Sequence, residues 1–215
     1  MNIASHKRSL WILLIVLRCV QSHGIDRDLK LADLHHTAWT FKDGAPAEIY
    51  ALAQTTDGFL WLGTATGLFR FDGIRFEPYK PQSGQAFPQR SVTSLFAVPD
   101  GGLWVGYSYG GVSFIKNGTV TDYGNSEGLP SDTVLAFARD MQGAIWIAAG
   151  DDGLARFQGS RWTKIGTNWG FADRADTVLV DHAGTVWVGT PTRVDLPPVF
   201  VHVRIRQLSA APSWV

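Results

Sequence analysis

Apolar residues along this chain fall in short bursts separated by glycine-containing polar turns, and the bursts recur at a nearly fixed interval. Four of them centre on tryptophan: GFLWLGT at 58–64, GGLWVGY at 101–107, GAIWIAA at 143–149 and GTVWVGT at 184–190. Trp61, Trp104, Trp146 and Trp187 stand 43, 42 and 41 residues apart. Three residues before each is a glycine (Gly58, Gly101, Gly143, Gly184), which supplies the positive backbone angle of a tight hairpin turn. An aspartate precedes or starts that turn, at Asp57, Asp100, Asp140 and Asp181, where a carboxylate bonds readily to turn amides.

The rest of the unit recurs as well. Nine residues before each tryptophan is an apolar residue (Leu52, Leu95, Phe137, Val178), and ten before it a small one (Ala51, Ser94, Ala136, Thr177). After the tryptophan, GLFRF (67–71), GVSFI (111–115) and GLARF (153–157) read as a third strand. IRFEPY (74–79), TVTDY (119–123) and RWTKI (161–165) read as a fourth. A period of roughly 40–45 residues with four short antiparallel strands per unit is the mark of a propeller blade. The small residues then belong on the crowded strand nearest the axis, and the tryptophans fill the spaces between neighbouring sheets. Each buried tryptophan hides roughly 150–250 Å², worth on the order of 4–6 kcal/mol as an upper bound. The fold class expected is all-β, an incomplete β-propeller of about three and a half blades in an open arc. AWTFKDGAP (38–46) parallels VTDYGNSEGLP (120–130) and reads as the outer strand of a preceding unit.

Composition adds little to this but excludes much. With 45% hydrophobic residues, 18% charged residues, no net charge and no basic blocks, the chain lacks the electrostatic footprint of a nucleic-acid binder. The N-terminus reads as an address. His6, Lys7 and Arg8 precede the apolar run LWILLIVL (10–17), too short to span a bilayer, and Val20 and Ser22 give small residues at a cleavage spacing. Residues 1–22 therefore read as a secretory signal. Its removal takes Cys19, the single cysteine, with it, and an exported chain without disulfides fits a bacterial periplasm.

With its D-x-x-G turn, L-W-I-G-T strand and G-L-x-x-F-D strand, the repeat resembles the two-component regulator propeller repeat. EGLPSDTVLAFARDMQGAIWIAAGDDGLARF (127–157) follows that pattern closely, and residues 35–77 resemble the start of the family's periplasmic sensor regions. The resemblance covers 35–190. It implies an extracytoplasmic module that senses a ligand, often sugar-related, and signals through a membrane helix to a kinase or cyclase domain. That helix and output domain are not in this sequence, so any membrane link runs through a downstream segment. The alternatives are a propeller enzyme of lyase or hydrolase type and a passive interaction scaffold, since fold does not dictate function.

No catalytic set, metal cluster or cofactor motif emerges from the residues. His35 and His36 are adjacent and face opposite ways on a strand. GDDGLARFQG (150–159) lacks the spacing and the lysine of a phosphate loop. In a propeller the turns after the second strands and the links between blades share one face. Here that face is expected to carry Arg90, Tyr107, Tyr109, Asp151 and Asp152, a set suited to a carbohydrate or another small polar ligand. After Thr190 the repeat stops, and residues 191–215 form a divergent tail with no glycine. Two readings remain: a truncated or frame-shifted frame, or a divergent end in which VFVHVRI forms an edge strand. An arc short of closure is expected to aggregate or to self-associate through its two bare ends.

Overall fold

The computed structural model of the chain describes residues 37–82, 84, 87, 88, 91–166, 171, 174–190 and 200–203. The signal expected at 1–22 and most of the tail at 191–215 lie outside these residues. The chain divides between Ala38 and Trp39 into two units, and all the elements below belong to the second. Four antiparallel sheets follow one another along it. The first is β1 (Ile49–Gln54), β2 (Leu60–Thr64), β3 (Gly67–Phe71) and β4 (Phe76–Pro78). The second is β5 (Val92–Ala97), β6 (Leu103–Tyr107), β7 (Val112–Lys116) and β8 (Thr119–Tyr123). The third is β9 (Ala136–Arg139), β10 (Ile145–Ala148), β11 (Leu154–Gln158) and β12 (Arg161–Ile165). The fourth holds β13 (Thr177–Val180), β14 (Val186–Gly189) and β15 (Phe200–Val203). Within every sheet the strands pair in chain order, as in a propeller blade.

The repeat read from the sequence maps onto this architecture position by position. Each tryptophan lies on the second strand, and the turn before it is closed by a glycine at φ 91°, 83°, 85° or 79° (Gly58, Gly101, Gly143, Gly184). Innermost strands β1, β5, β9 and β13 pack in succession. Three apolar clusters fill the three spaces between consecutive sheets. In each, the tryptophan of one sheet meets the residue nine before the tryptophan of the next sheet. Trp61 shares a cluster with Leu95, Trp104 with Phe137 and Trp146 with Val178. The register explains this directional packing. Leu52, Leu95, Phe137 and Val178 pair with the residue after each tryptophan, so the pleat turns them to the opposite face of their sheet.

Small residues sit where sheets approach most closely. A Cβ built on Gly63 would stand 2.6 Å from Val92 Cγ1, and one on Gly106 2.7 Å from Val134 Cγ1. Toward the outer strands the filling becomes aromatic. Trp104 touches Phe114, Tyr123, Phe157 and Trp162 at ring-centroid distances of 4.6, 5.8, 5.1 and 5.7 Å.

The turn aspartates do more than the sequence pattern indicates. Asp140 Oδ1 accepts from the amides of Gln142 and Ala144 (3.0 and 2.9 Å), as expected of a turn. Its Oδ2 accepts from the indole N–H of Trp146 at 3.0 Å and from Arg156 Nη2 at 2.7 Å. Burial raises the Asp140 pKa, but the Arg156, Trp146 and Ala144 bonds outweigh it and hold the carboxyl below its ordinary value. Asp181 repeats the device on Trp187, at 2.8 Å. In the first sheet Thr55 Oγ1 takes the Trp61 indole N–H at 2.8 Å and passes the contact on to Asp57.

One expectation needs correction. No strand forms at 38–41: residues 37–40 have no ladder pairing, and Phe41–Asp43 is a 3-10 turn. An outer strand needs a third strand beside it, and no described strand offers it an edge. The parallel with 120–130 holds in the turn itself. Asp43 caps the amide of Thr40 at 2.7 Å, as Glu127 caps that of Gly124 at 2.7 Å. The fourth unit has three described strands, the third from the stretch VFVHVRI read as an edge strand. Residues 200–203 pair antiparallel with β14 and place Val201 opposite Val188.

Candidate functional site

The face expected to bind a ligand is occupied largely by bonds that tie the links to the sheets. Asp152 Oδ2 accepts from the Ser131 amide and hydroxyl, both at 2.7 Å, and from the Asp132 amide at 3.1 Å. Its Oδ1 takes Lys164 Nζ at 3.1 Å. These bonds, led by the Ser131 hydroxyl and amide, lower the Asp152 pKa to about 2. Asp151 is joined to Arg174 Nη1 at 2.9 Å, and its amide donates to Asp132 Oδ2 at 2.8 Å. The two aspartates therefore hold the links before and after the third sheet.

Tyr107 is a correction. It is fully buried, its hydroxyl lies 2.7 Å from Ser113 Oγ, and burial pushes its pKa up. It is on the same pleat face as Leu103 and Val105, inside the cluster between the first and second sheets. Tyr109, on the β6–β7 turn, is 81% exposed. Arg90 lies outside the described residues. Asp151 and Asp152 are engaged with the link that Tyr107 also meets, through the Val134 amide bonded to the Tyr107 carbonyl at 3.0 Å, but the Tyr107 side chain is buried.

A different concavity opens at the other end of the strands, between the first and second sheets. It is a cleft of about 480 Å³ reached past the β1–β2, β5–β6 and β7–β8 turns. Trp61 and Tyr79 meet edge to face in it at 4.9 Å. Leu103 and Ile115 give it apolar surface, and Asp57, Arg70, Glu77, Lys80, Gln82 and Lys116 line its polar parts. Arg70 bonds Glu77 at 3.3 Å and lies 4.2 Å over the Phe59 ring. Lys116 is held by Asp100 at 2.6 Å. Burial raises the Tyr79 pKa above its ordinary value.

The cleft exists because this intersheet space is underfilled. By register, Ile115 stands where the third sheet has Phe157, and Val120 where it has Trp162. The corresponding groove between the second and third sheets is about 320 Å³ and is walled by Trp104, Phe114, Tyr123 and Phe157. Replacing two aromatics by Ile and Val leaves room, and Arg70 in the place of Phe114 makes that room polar. Sequence reading missed this site. The signal was the size of side chains at matched positions on the outer strands.

Comparison with known proteins agrees with the fold and the repeat. Residues 43–66 and 128–151 match the family described as Two component regulator propeller. The extracellular domain of the hybrid two component system BT3049 from B. thetaiotaomicron superposes with a TM-score of 0.61 at 17% identity, over 71% of this chain and 23% of that one. The extracellular domain of BT4673 from the same organism gives 0.52 at 18% identity, over 66% and 20%. Streptogramin B lyase gives 0.54 at 15% identity, over 66% and 48%. This chain thus spans less than half the length of each of these structures. No curated protein matches the sequence. Among the described residues no helix is long and apolar enough to cross a membrane. The chain is an open all-β arc of propeller-type sheets, and two of its repeat stretches match the two component regulator propeller family.

Proposed function

We propose that this chain is the extracytoplasmic ligand-sensing module of a bacterial two-component signalling protein, working in the periplasm and signalling through a downstream segment. The match of two of its blades to the two component regulator propeller family carries this reading. The ligand is a small polar molecule, with carbohydrates the first class to test, and it seats in the cleft between the first and second sheets. That cleft offers aromatic edges at Trp61 and Tyr79 beside hydrogen-bonding groups of both signs, Arg70 and Lys80 against Asp57 and Glu77. Its exposed lining is mostly polar, which suits a small polar ligand held by hydrogen bonds.

Thermal unfolding of the purified chain against a panel of mono- and oligosaccharides, amino acids and nucleosides tests this. A ligand at a hundred times its Kd stabilises the folded state by about 2.7 kcal/mol. The expected result is a saturable rise in Tm with one class, lost in Arg70→Ala and Tyr79→Ala. A panel without effect, or a shift that both variants retain, refutes the site. Conversion of the ligand to product moves the protein to the lyase-type reading.

A further inference from the structure

Each second-strand tryptophan has an indole N–H to satisfy, and in three of the four sheets the residue six before it does so. Thr55 takes the N–H of Trp61 at 2.8 Å, Asp140 that of Trp146 at 3.0 Å and Asp181 that of Trp187 at 2.8 Å. In the second sheet that place is held by Val98, which has no acceptor to offer. A second residue changes with it. In the third sheet Arg156 pairs across from Trp146 and shares the Asp140 carboxylate at 2.7 Å, but the residue across from Trp104 is Phe114. No acceptor among the described residues bonds the Trp104 N–H, although the residue is only 3% exposed. A buried donor without an acceptor is costly, and it is the kind of group that a ligand completes.

The orphan donor belongs to a groove. Val98 and Trp104 both line the space of about 320 Å³ between the second and third sheets, among the rings of Phe114, Tyr123 and Phe157. The other three indoles are aimed at the residue six before them, and the same blade geometry turns the Trp104 N–H toward Val98 on this wall. Charge in the lining comes from Asp100 and Arg139. Asp100 Oδ2 is held by Lys116 at 2.6 Å and feels Arg139 only through space. Arg139, the exposed last residue of β9, forms no ion pair among the described residues. Aromatic walls, an unsatisfied N–H and a spare cation therefore meet in one groove.

We propose that this groove binds a small aromatic carboxylate, whose carboxylate takes the Trp104 N–H and the Arg139 guanidinium while its ring packs among Phe114, Tyr123 and Phe157. The third sheet has the same pairing built in, for Asp140 Oδ2 accepts from an indole N–H and a guanidinium together. The ligand brings to the second sheet the carboxylate that Val98 lacks, and Arg139 brings the cation that Phe114 lacks. This groove lies on the other side of the second sheet from the cleft of Arg70 and Tyr79, and it does not rest on the function given to that cleft.

Nuclear magnetic resonance of the tryptophan indole N–H groups decides this, with phenylacetate as the probe and phenylacetamide and acetate as controls. The Trp104 cross-peak is expected to move saturably with phenylacetate and far less with either control. Val98→Thr gives the second sheet the acceptor that Thr55 gives the first, in the same branched shape. It is expected to shift the Trp104 cross-peak before any probe is added and to weaken phenylacetate about tenfold or more, the worth of a hydrogen bond to a charged group. Arg139→Gln is expected to weaken it similarly with unchanged circular dichroism, and it decides the matter if Val98→Thr does not fold. A Trp104 cross-peak that phenylacetate leaves in place overturns the proposal, as does movement confined to other indoles, such as that of Trp61 in the first cleft. So does a control that binds as tightly as phenylacetate, or wild-type affinity in either folded variant.

Discussion

Replacing Trp104 by alanine is expected to destabilise the arc about twice as much as the same change at Trp39. Trp104 is 3% exposed, between the second and third sheets, and touches four aromatic rings. Removing roughly 150–250 Å² of buried ring at about 25 cal/mol/Å² gives about 4–6 kcal/mol as an upper bound. The surrounding rings relax only in part, which puts the loss in the range of about 3–5 kcal/mol typical of buried aromatic truncation. Trp39 is 45% exposed and touches two rings, so about half the area is at stake and the loss is about 2 kcal/mol. A domain of this kind has about 5–15 kcal/mol in total, so Trp104→Ala removes a large share of it. Urea titration followed by far-ultraviolet circular dichroism measures both, at one protein concentration because association adds to apparent stability. Equal losses, or a larger loss at Trp39, refute the assignment of Trp104 to an internal interface and of Trp39 to an outer position.

The same assay separates the two turn aspartates. Asp140→Asn breaks a charge-assisted bond to Arg156 and is expected to lose about 1.5–3 kcal/mol, while Asp181→Asn, for which no arginine bond is recorded among the described residues, is expected to lose less. Acid should weaken the link held by Asp152. Its folded pKa is about 2 against an ordinary 3.8, so the unfolded chain binds more protons, and the stabilisation present above about pH 4 fades as pH falls to about 2. Asp152→Ala should lack that part of the acid transition, and an unchanged pH profile counts against the bond. Ile115→Phe gives the second sheet the aromatic that the third has, and it should leave Tm unchanged or higher while abolishing any ligand-induced shift in thermal unfolding. A ligand shift that survives Ile115→Phe places the ligand elsewhere.

The blade was legible because its signals are local and repeated. Tryptophan at the middle of the second strand, glycine three before it and an apolar residue nine before it all fall within one hairpin, where register follows from the turn. The same alternation held the answer for Tyr107. Leu103, Val105 and Tyr107 share one face, so a tyrosine at the strand end points inward even though the turn begins directly after it. The Asp152 bonds could not be read this way, since Ser131 is 21 residues off and its approach depends on the path of the link. Strand β15 was ambiguous for the opposite reason. Its apolar alternation was visible, but no glycine turn fixes its register against β14. The cleft needed a comparison of side-chain size between sheets, which has meaning only once the outer strands are paired.

The close approach at Gly63 and Gly106 has a consequence for the curvature of the whole array. Each of these glycines sits two residues past a tryptophan, and the Val92 or Val134 side chain fills the space a Cβ would need. At the far side stand Trp61 and Tyr79 in the Gly63 interface and Trp104, Tyr123 and Phe157 in the Gly106 interface, all several times larger. Each interface is therefore a wedge, thin at the pivot and thick at the rim, and the difference in thickness sets the angular step from one sheet to the next. Steps of this kind add along the chain, so a single methyl group at Gly106 would part the inner edges and straighten everything downstream of the second sheet. The number of blades needed to come full circle is thus written in side-chain volumes at two radii.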